Sequence, residues 1–153
     1  MMELMMIVLA VIGGATLSIQ AATNGKLGSQ LGVYHTAFMT FFLGLLVTGL
    51  LIFFFEPSRD IGLMDMPKWQ LMGALFGVPY IVIMTLALQK LSSATTTVAV
   101  IFGQLAMSML IDNFGWLHNT AIDFSVTRFA AVICLGIALY FIHSGSESGA
   151  KAE

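Results

Sequence analysis

GGATLSIQAATNGKLG, residues Gly13 to Gly28, places two amides at the end of a segment that is otherwise apolar enough to lie in lipid. These amides are Gln20 and Asn24, and an unpartnered polar side chain in hydrocarbon costs several kcal/mol. Such groups therefore face a partner helix or a water-filled cavity. The stretch predicts a membrane helix that offers hydrogen bonds to whatever it contacts.

Read as a helix, this stretch has two different sides. Small residues recur every four positions and form one smooth side, at Ala10, Gly14, Ser18 and Ala22. A second helix can lie close against such a face, so we predict Gly14 and Ser18 as packing residues. The roughly opposite side offers hydrogen bonds, and its candidate substrate-binding residues are Thr16, Gln20 and Asn24.

The composition places the chain in a bilayer. Of its 153 residues, 58% are hydrophobic and only 9% are charged, too few to cover a soluble domain. Five uncharged windows of about 16 to 20 residues have roughly the length that a helix needs to cross a hydrocarbon core of roughly 30 Å. We predict one all-α domain of five transmembrane helices over residues 1–144 and a short, polar, disordered tail over 145–153. The predicted helices span about 5–22, 36–55, 69–88, 94–111 and 129–144.

Several function classes find no support in the sequence. The net charge of −2 supplies no basic field for nucleic acid. No strand precedes the glycines after the first helix, which argues against a phosphate loop. The second loop carries Arg59 and the acids Glu56, Asp60 and Asp65, but without the spacing of a calcium loop. We expect no enzyme activity, no metal site and no cofactor.

Positive charges are distributed evenly between the two sides of the membrane. With five spans, one side receives Lys26, Lys90 and Lys151, and the other receives Arg59, Lys68 and Arg128. An excess of Lys and Arg normally sets the orientation, so a tie is typical of a chain inserted both ways. Transporters often contain two inverted repeats, and five helices supply one. We expect an antiparallel homodimer or a paralogous five-helix partner; a chance tie among few charges is the alternative.

The first connector and the third helix carry further signals. The first helix is predicted to end near Asn24 and Gly25, followed by a short interfacial turn, because both residues tolerate left-handed backbone angles. In the third helix, Gly73 and Gly77 predict close helix packing. Tyr80 lies mid-span beside a helix-bending proline and is a candidate substrate-binding residue; a tyrosine that faces the interface is the alternative.

The fourth helix contains LSSATTTVAVIFGQLAMSMLIDNFG, residues Leu91 to Gly115. Hydroxyls crowd its start, where they can accept hydrogen bonds from free N–H groups. A polar stripe lies within roughly 80° of helix surface at 3.6 residues per turn, formed by Thr97, Gln104, Ser108 and Asp112. We predict the last three as substrate-binding residues and Gly103 as a packing residue. Hydrogen bonding between helices is the alternative role for the amides.

The first and fourth stretches resemble the two most characteristic segments of the YdcZ-like family of small bacterial inner-membrane proteins, in the drug/metabolite transporter superfamily. Phenylalanine-rich helix two and KWQLMGALFGVPY in helix three also fit. The resemblance implies a five-helix repeat equal to half of a ten-helix transporter. Residues that match its motifs are Gly14, Gln20, Asn24, Gly25, Gly103, Gln104, Ser108, Asp112 and Gly115. Asn113 stands where a His is expected in many relatives, which argues against a proton relay there.

Three functional hypotheses follow. The leading one is a small-molecule transporter, an exporter in the bacterial inner membrane, that works by alternating access as a dual-topology homodimer. Its first and fourth helices would line the substrate cavity. Helix one lacks the central glutamate of the related small multidrug transporters, so Asp112 is the candidate if protons are coupled. The alternatives are a passive ion channel formed by an antiparallel dimer and a non-transporting membrane subunit.

Overall fold

The computed structural model describes residues 1–57, 62, 66–118, 120–123 and 125–150. These residues form helices and connections without any strand. The long helices are α1 (Met2–Leu31), α2 (Val33–Phe55), α3 (Gly73–Leu88), α4 (Ser93–Phe114) and α5 (Val126–Ala150). Together with the 3-10 turn Lys68–Met72 before α3, they provide five segments long and apolar enough to cross a membrane. The prediction of an all-α protein with five spans is confirmed.

The chain divides into two compact units, Met1–Lys90 and Leu91–Glu153. In the first unit, α1, α2 and α3 each pack against the other two. In the second unit, α4 packs against α5. The single five-helix domain over residues 1–144 stays a prediction.

Helix α1 does not end near Asn24 and Gly25, as its sequence suggested, but continues to Leu31. The expected interfacial turn is therefore helical, and the reversal into α2 takes place at one residue, Gly32. Its φ of 89° lies in the left-handed region that glycine adopts without strain. The amide of Gly32 donates to the carbonyl of Gly28, which completes the end of α1.

The glycines inside this part of α1 serve packing and do not end the helix. A Cβ on Gly25 would lie 2.9 Å from Cβ of Leu88, and a Cβ on Gly28 would overlap Cγ2 of Thr85. Both glycines therefore allow α1 to lie directly against the end of α3. Tertiary packing overrides the local tendency of a glycine to stop a helix here.

Four of the predicted spans are shorter than the helices in the structure, whereas the third, 69–88, begins in the 3-10 turn Lys68–Met72 and becomes α-helical only at Gly73. Helix α2 begins three residues before Thr36, and α4 extends beyond Ile111 to Phe114. Helix α5 includes residues 145–150, which were expected to be a disordered tail. Within it, the hydroxyl of Ser146 donates to the carbonyl of Ile142 at 2.9 Å. Residues 151–153 and the loop residues Arg59, Asp60 and Asp65 lie outside the described residues.

The buried part of the first unit lies where α1 turns into α2 and where α3 ends. Thr36 and Thr85 are 0% and 1% exposed, and Ala37 and Met84 are also buried. Large apolar side chains along the rest of the helices face outward, and Phe53 at the end of α2 is 80% exposed. Such an apolar exterior suits hydrocarbon and would be costly in water.

Candidate functional site

A small cavity lies between α1 and α3 in the first unit. We call it the α1–α3 cavity, and it is lined by Leu17, Gln20, Ala21, Asn24, Tyr80, Ile81, Met84 and Thr85. Its volume is about 10 Å³, enough for one water-sized group. The spacing of the α1 residues is that of one helix face. The structure therefore brings together three predicted site residues, Gln20, Asn24 and Tyr80.

Asn24 connects this cavity to α2. The hydroxyl of Thr40 donates to Oδ1 of Asn24 at 3.1 Å and to the carbonyl of Thr36 at 2.9 Å. This side-chain bond joins two helices, which is the alternative role that polar groups play in membrane spans. The bond occupies Oδ1 of Asn24 and leaves the amide N–H groups of that side chain for other acceptors.

Two buried hydroxyls at the cavity have no hydrogen-bond partner among the described residues. They are the phenol of Tyr80 and the hydroxyl of Thr85. Thr85 is only 1% exposed, and Tyr80 lies next to Pro79 inside α3. An unsatisfied buried hydroxyl costs roughly 1–3 kcal/mol. These groups are therefore ready to bind a partner that supplies a donor or an acceptor.

Sequence reasoning missed Thr85. A separation of five residues turns a helix by about 140°, so periodicity places Tyr80 and Thr85 on different faces. The cavity nevertheless contacts both, because Tyr80, Ile81, Met84 and Thr85 together form one broad face against α1. An isolated threonine in an apolar span was the available signal, and it is also common in ordinary packing.

Thr16 and the predicted packing residues of the first unit lie in several environments. The hydroxyl of Thr16 donates to the carbonyl of Gly13 at 2.8 Å, outside the α1–α3 cavity. A Cβ on Gly77 would lie 3.0 Å from Cζ of Phe41, so Gly77 allows α2 to approach α3. Ser18 is partly buried, whereas a Cβ on Gly14 or Gly73 would meet no described atom within 4 Å beyond its own helix.

The polar stripe of the second unit lies along α4. Gln104 and Ser108 are exposed, and Thr97 is partly buried. A Cβ on Gly103 would meet no described atom within 4 Å outside the backbone of α4. These positions are open to a further surface, and their roles in substrate binding and packing stay predictions.

Asp112 at the end of this stripe is held by a charged neighbour. Nη1 of Arg128 lies 3.3 Å from Oδ2 of Asp112, and the two side chains are 41% and 28% exposed. The amide of Ile122 also donates to the carbonyl of Asp112 at 2.9 Å. Arg128 lies in the first turn of α5 and was not predicted as a partner of Asp112. The two residues are 16 positions apart in sequence, and they meet because α4 ends at Gly115 and α5 packs back against it.

The start of α4 carries the expected hydroxyl cap. Oγ of Ser92 accepts from the amide of Thr95 at 3.2 Å and lies 3.2 Å from Oγ of Ser146 in α5. The other end stops at Gly115, whose φ is 61°. Among the described residues, no group of three or more His, Cys, Asp or Glu side chains is placed to hold a metal ion.

Five apolar helices of membrane-spanning length define a multi-pass integral membrane protein. The family model described as "Putative inner membrane exporter, YdcZ" matches residues 5–141, so the chain belongs to this family, within the drug/metabolite transporter group. Its location is the inner membrane, and its family is described by export and not by catalysis. Searches of curated proteins and of solved structures found no match.

Proposed function

We propose that this protein exports small molecules across the inner membrane by alternating access, as an antiparallel homodimer inserted in both orientations. The observation that carries the proposal is the α1–α3 cavity, where hydrogen-bonding side chains meet inside a unit built to lie in lipid. Polar groups inside membrane-spanning segments are costly, and substrate pathways are where membrane proteins commonly retain them. The family description supports the export part of the proposal.

The size of the cavity bears on how a substrate would bind. Pockets for small molecules usually measure about 300–1,000 Å³, whereas this cavity is about 10 Å³. A substrate therefore needs the helices to separate, or a second chain to enclose a larger space. Alternating access with a site between inverted copies provides both. In this proposal, Gln20 and Asn24 of α1 and Gln104 and Ser108 of α4 contact the substrate.

Purified protein in lipid vesicles tests export. The vesicles are loaded with a defined mixture of small metabolites, and release is followed by mass spectrometry. We expect saturable release that Gln20→Ala slows by roughly 2- to 10-fold, the effect of losing one hydrogen bond. Gln70→Ala is the matched control, because Gln70 is also an exposed glutamine but lies outside the cavity. The same comparison applies to Gln104→Ala, with dimer assembly checked by crosslinking.

The result also separates the alternatives. Non-saturating ion conductance without metabolite release would favour a channel and contradict the carrier. Release that occurs only after a second membrane protein is added would favour a subunit role. Dissociation or unfolding of Gln104→Ala would make that amide structural.

Two positions at opposite ends of the third span test dual topology. Met66 and Leu91 are exposed, flank residues 68–88, and carry no charge whose loss would itself change the insertion. Each is replaced by cysteine in a Cys134→Ser background and labelled with an impermeant reagent before and after permeabilisation. For a chain inserted both ways, about half of the molecules at each position react from outside. Complete labelling of one position and none of the other would refute dual topology and leave the even charge count accidental.

A further inference from the structure

The α1–α3 cavity combines three properties of an internal binding site. Its volume of about 10 Å³ matches the smallest space that holds one water molecule. Thr85 lines it with a hydroxyl that is unpartnered in a side chain only 1% exposed. Tyr80 adds a second buried and unpartnered hydroxyl. A bound water needs two to four polar partners, and these two hydroxyls with the amides of Gln20 and Asn24 provide that number.

The chemistry of the lining selects an uncharged occupant. None of its eight residues is Asp, Glu, Lys, Arg or His. A cation in this space would lose its hydration without gaining an opposite charge, which is strongly unfavourable in a low-dielectric interior. A water molecule can donate to one hydroxyl and accept from the other. We propose that the α1–α3 cavity is a binding site for a single water molecule that the hydroxyls of Tyr80 and Thr85 hold on α3 and that bridges to the amides of Gln20 and Asn24 on α1.

Radiolytic footprinting tests this site without any transport assay. X-ray pulses generate hydroxyl radicals from bound water, and the radicals oxidise adjacent methionines, which are counted by mass spectrometry. Met84 lines the cavity and is 7% exposed, while Met109 in the other unit is 8% exposed and does not line it. Met109 is therefore a control of equal burial. We expect Met84 to be oxidised several-fold faster than Met109.

Thr85→Val supplies the second measurement, because it keeps the shape of the side chain and removes the hydroxyl. With a bridging water, the variant loses a hydrogen bond, so its Tm falls and the oxidation rate of Met84 drops toward that of Met109. In a dry cavity, the variant removes an unsatisfied group, so its Tm rises. Tyr80→Phe combined with Thr85→Val then shows a non-additive Tm change, since both hydroxyls bind the same water.

The possible results of these experiments distinguish a bound water from a dry cavity, from a cation site and from a failure of the proposed transport alone. Equal oxidation of Met84 and Met109 in the unmodified protein overturns the proposal, whether or not the variants fold. A higher Tm for Thr85→Val overturns it as well. A Tm increase with sodium or potassium chloride relative to choline chloride, lost in Thr85→Val, would assign the site to a cation. Loss of export with rapid oxidation of Met84 would leave the water site intact and contradict only the proposed transport.

Discussion

Gly28→Ala tests whether the contact between α1 and α3 depends on the absence of a side chain. A Cβ at this position would overlap Cγ2 of Thr85, lie 3.2 Å from Nε2 of Gln89 and lie 3.6 Å from Oγ1 of Thr36. Thr85 is β-branched and only 1% exposed, so it has little freedom to rotate away. We therefore expect the first unit to be destabilised.

The magnitude follows from two opposing effects. Overpacking of a filled interior costs about 1–3 kcal/mol. Replacing glycine by alanine inside a helix stabilises the folded state by roughly 0.5–1 kcal/mol, because alanine loses less backbone entropy on folding. The net loss is then about 0.5–2 kcal/mol, and a chain of this size changes Tm by about 2–4 °C per kcal/mol. The expected fall in Tm is roughly 1–8 °C.

Thermal unfolding of the purified protein, followed by circular dichroism or scattering, measures this change. Gly13→Ala is the control, because a Cβ there meets no described atom within 4 Å outside the backbone of α1. Adding Thr85→Ser to Gly28→Ala removes the overlapping methyl group and should restore most of the lost stability. An unchanged or higher Tm for Gly28→Ala, or no recovery in the double variant, would refute the packing argument.

Three further changes have defined outcomes in the same unfolding assay. Ser92→Ala removes the cap on the amide of Thr95 and should cost about 1 kcal/mol, while Ser93→Ala, without that bond, should change Tm little. Asp112→Asn weakens a partly exposed ion pair with Arg128, so we expect a loss below about 1 kcal/mol; a larger loss would mean that Asp112 has a further structural partner. Gly115→Ala forces a left-handed angle on alanine and should cost about 1–2 kcal/mol; no change in Tm would show that this turn adapts.

The number and type of the helices could be predicted from the sequence, because a bilayer imposes strict requirements on any spanning segment. Backbone groups must be paired within the helix, and about 20 apolar residues are needed to cross the core. Local chemistry also predicted that hydroxyls cap the start of the fourth helix, and in the structure Ser92 does so through the amide of Thr95, three residues away.

Contacts between helices were harder to predict from periodicity. The amides Gln20 and Asn24 were identified as a polar face, and the structure places Tyr80 beside them in one cavity. Thr85 was missed because periodicity fixes its position on α3 but does not show that this side of α3 packs against α1. Arg128 was missed because a turn, and not a helical repeat, brings it to Asp112.

The lipid environment explains why the sequence predicts some features of this protein and why others depend on tertiary packing. Apolar length and local hydrogen bonding are properties of a segment and its immediate neighbours, so the chain's own residues specify the five helices and the hydroxyl cap at the start of α4. The roles of Gly25 and Gly28 arise from the approach of α3, which overrides the usual reading of glycine as a helix stop. Packing of α1 against α3 likewise creates the cavity, since the unpartnered hydroxyls of Tyr80 and Thr85 on α3 become part of one site with Gln20 and Asn24 only when α1 covers them.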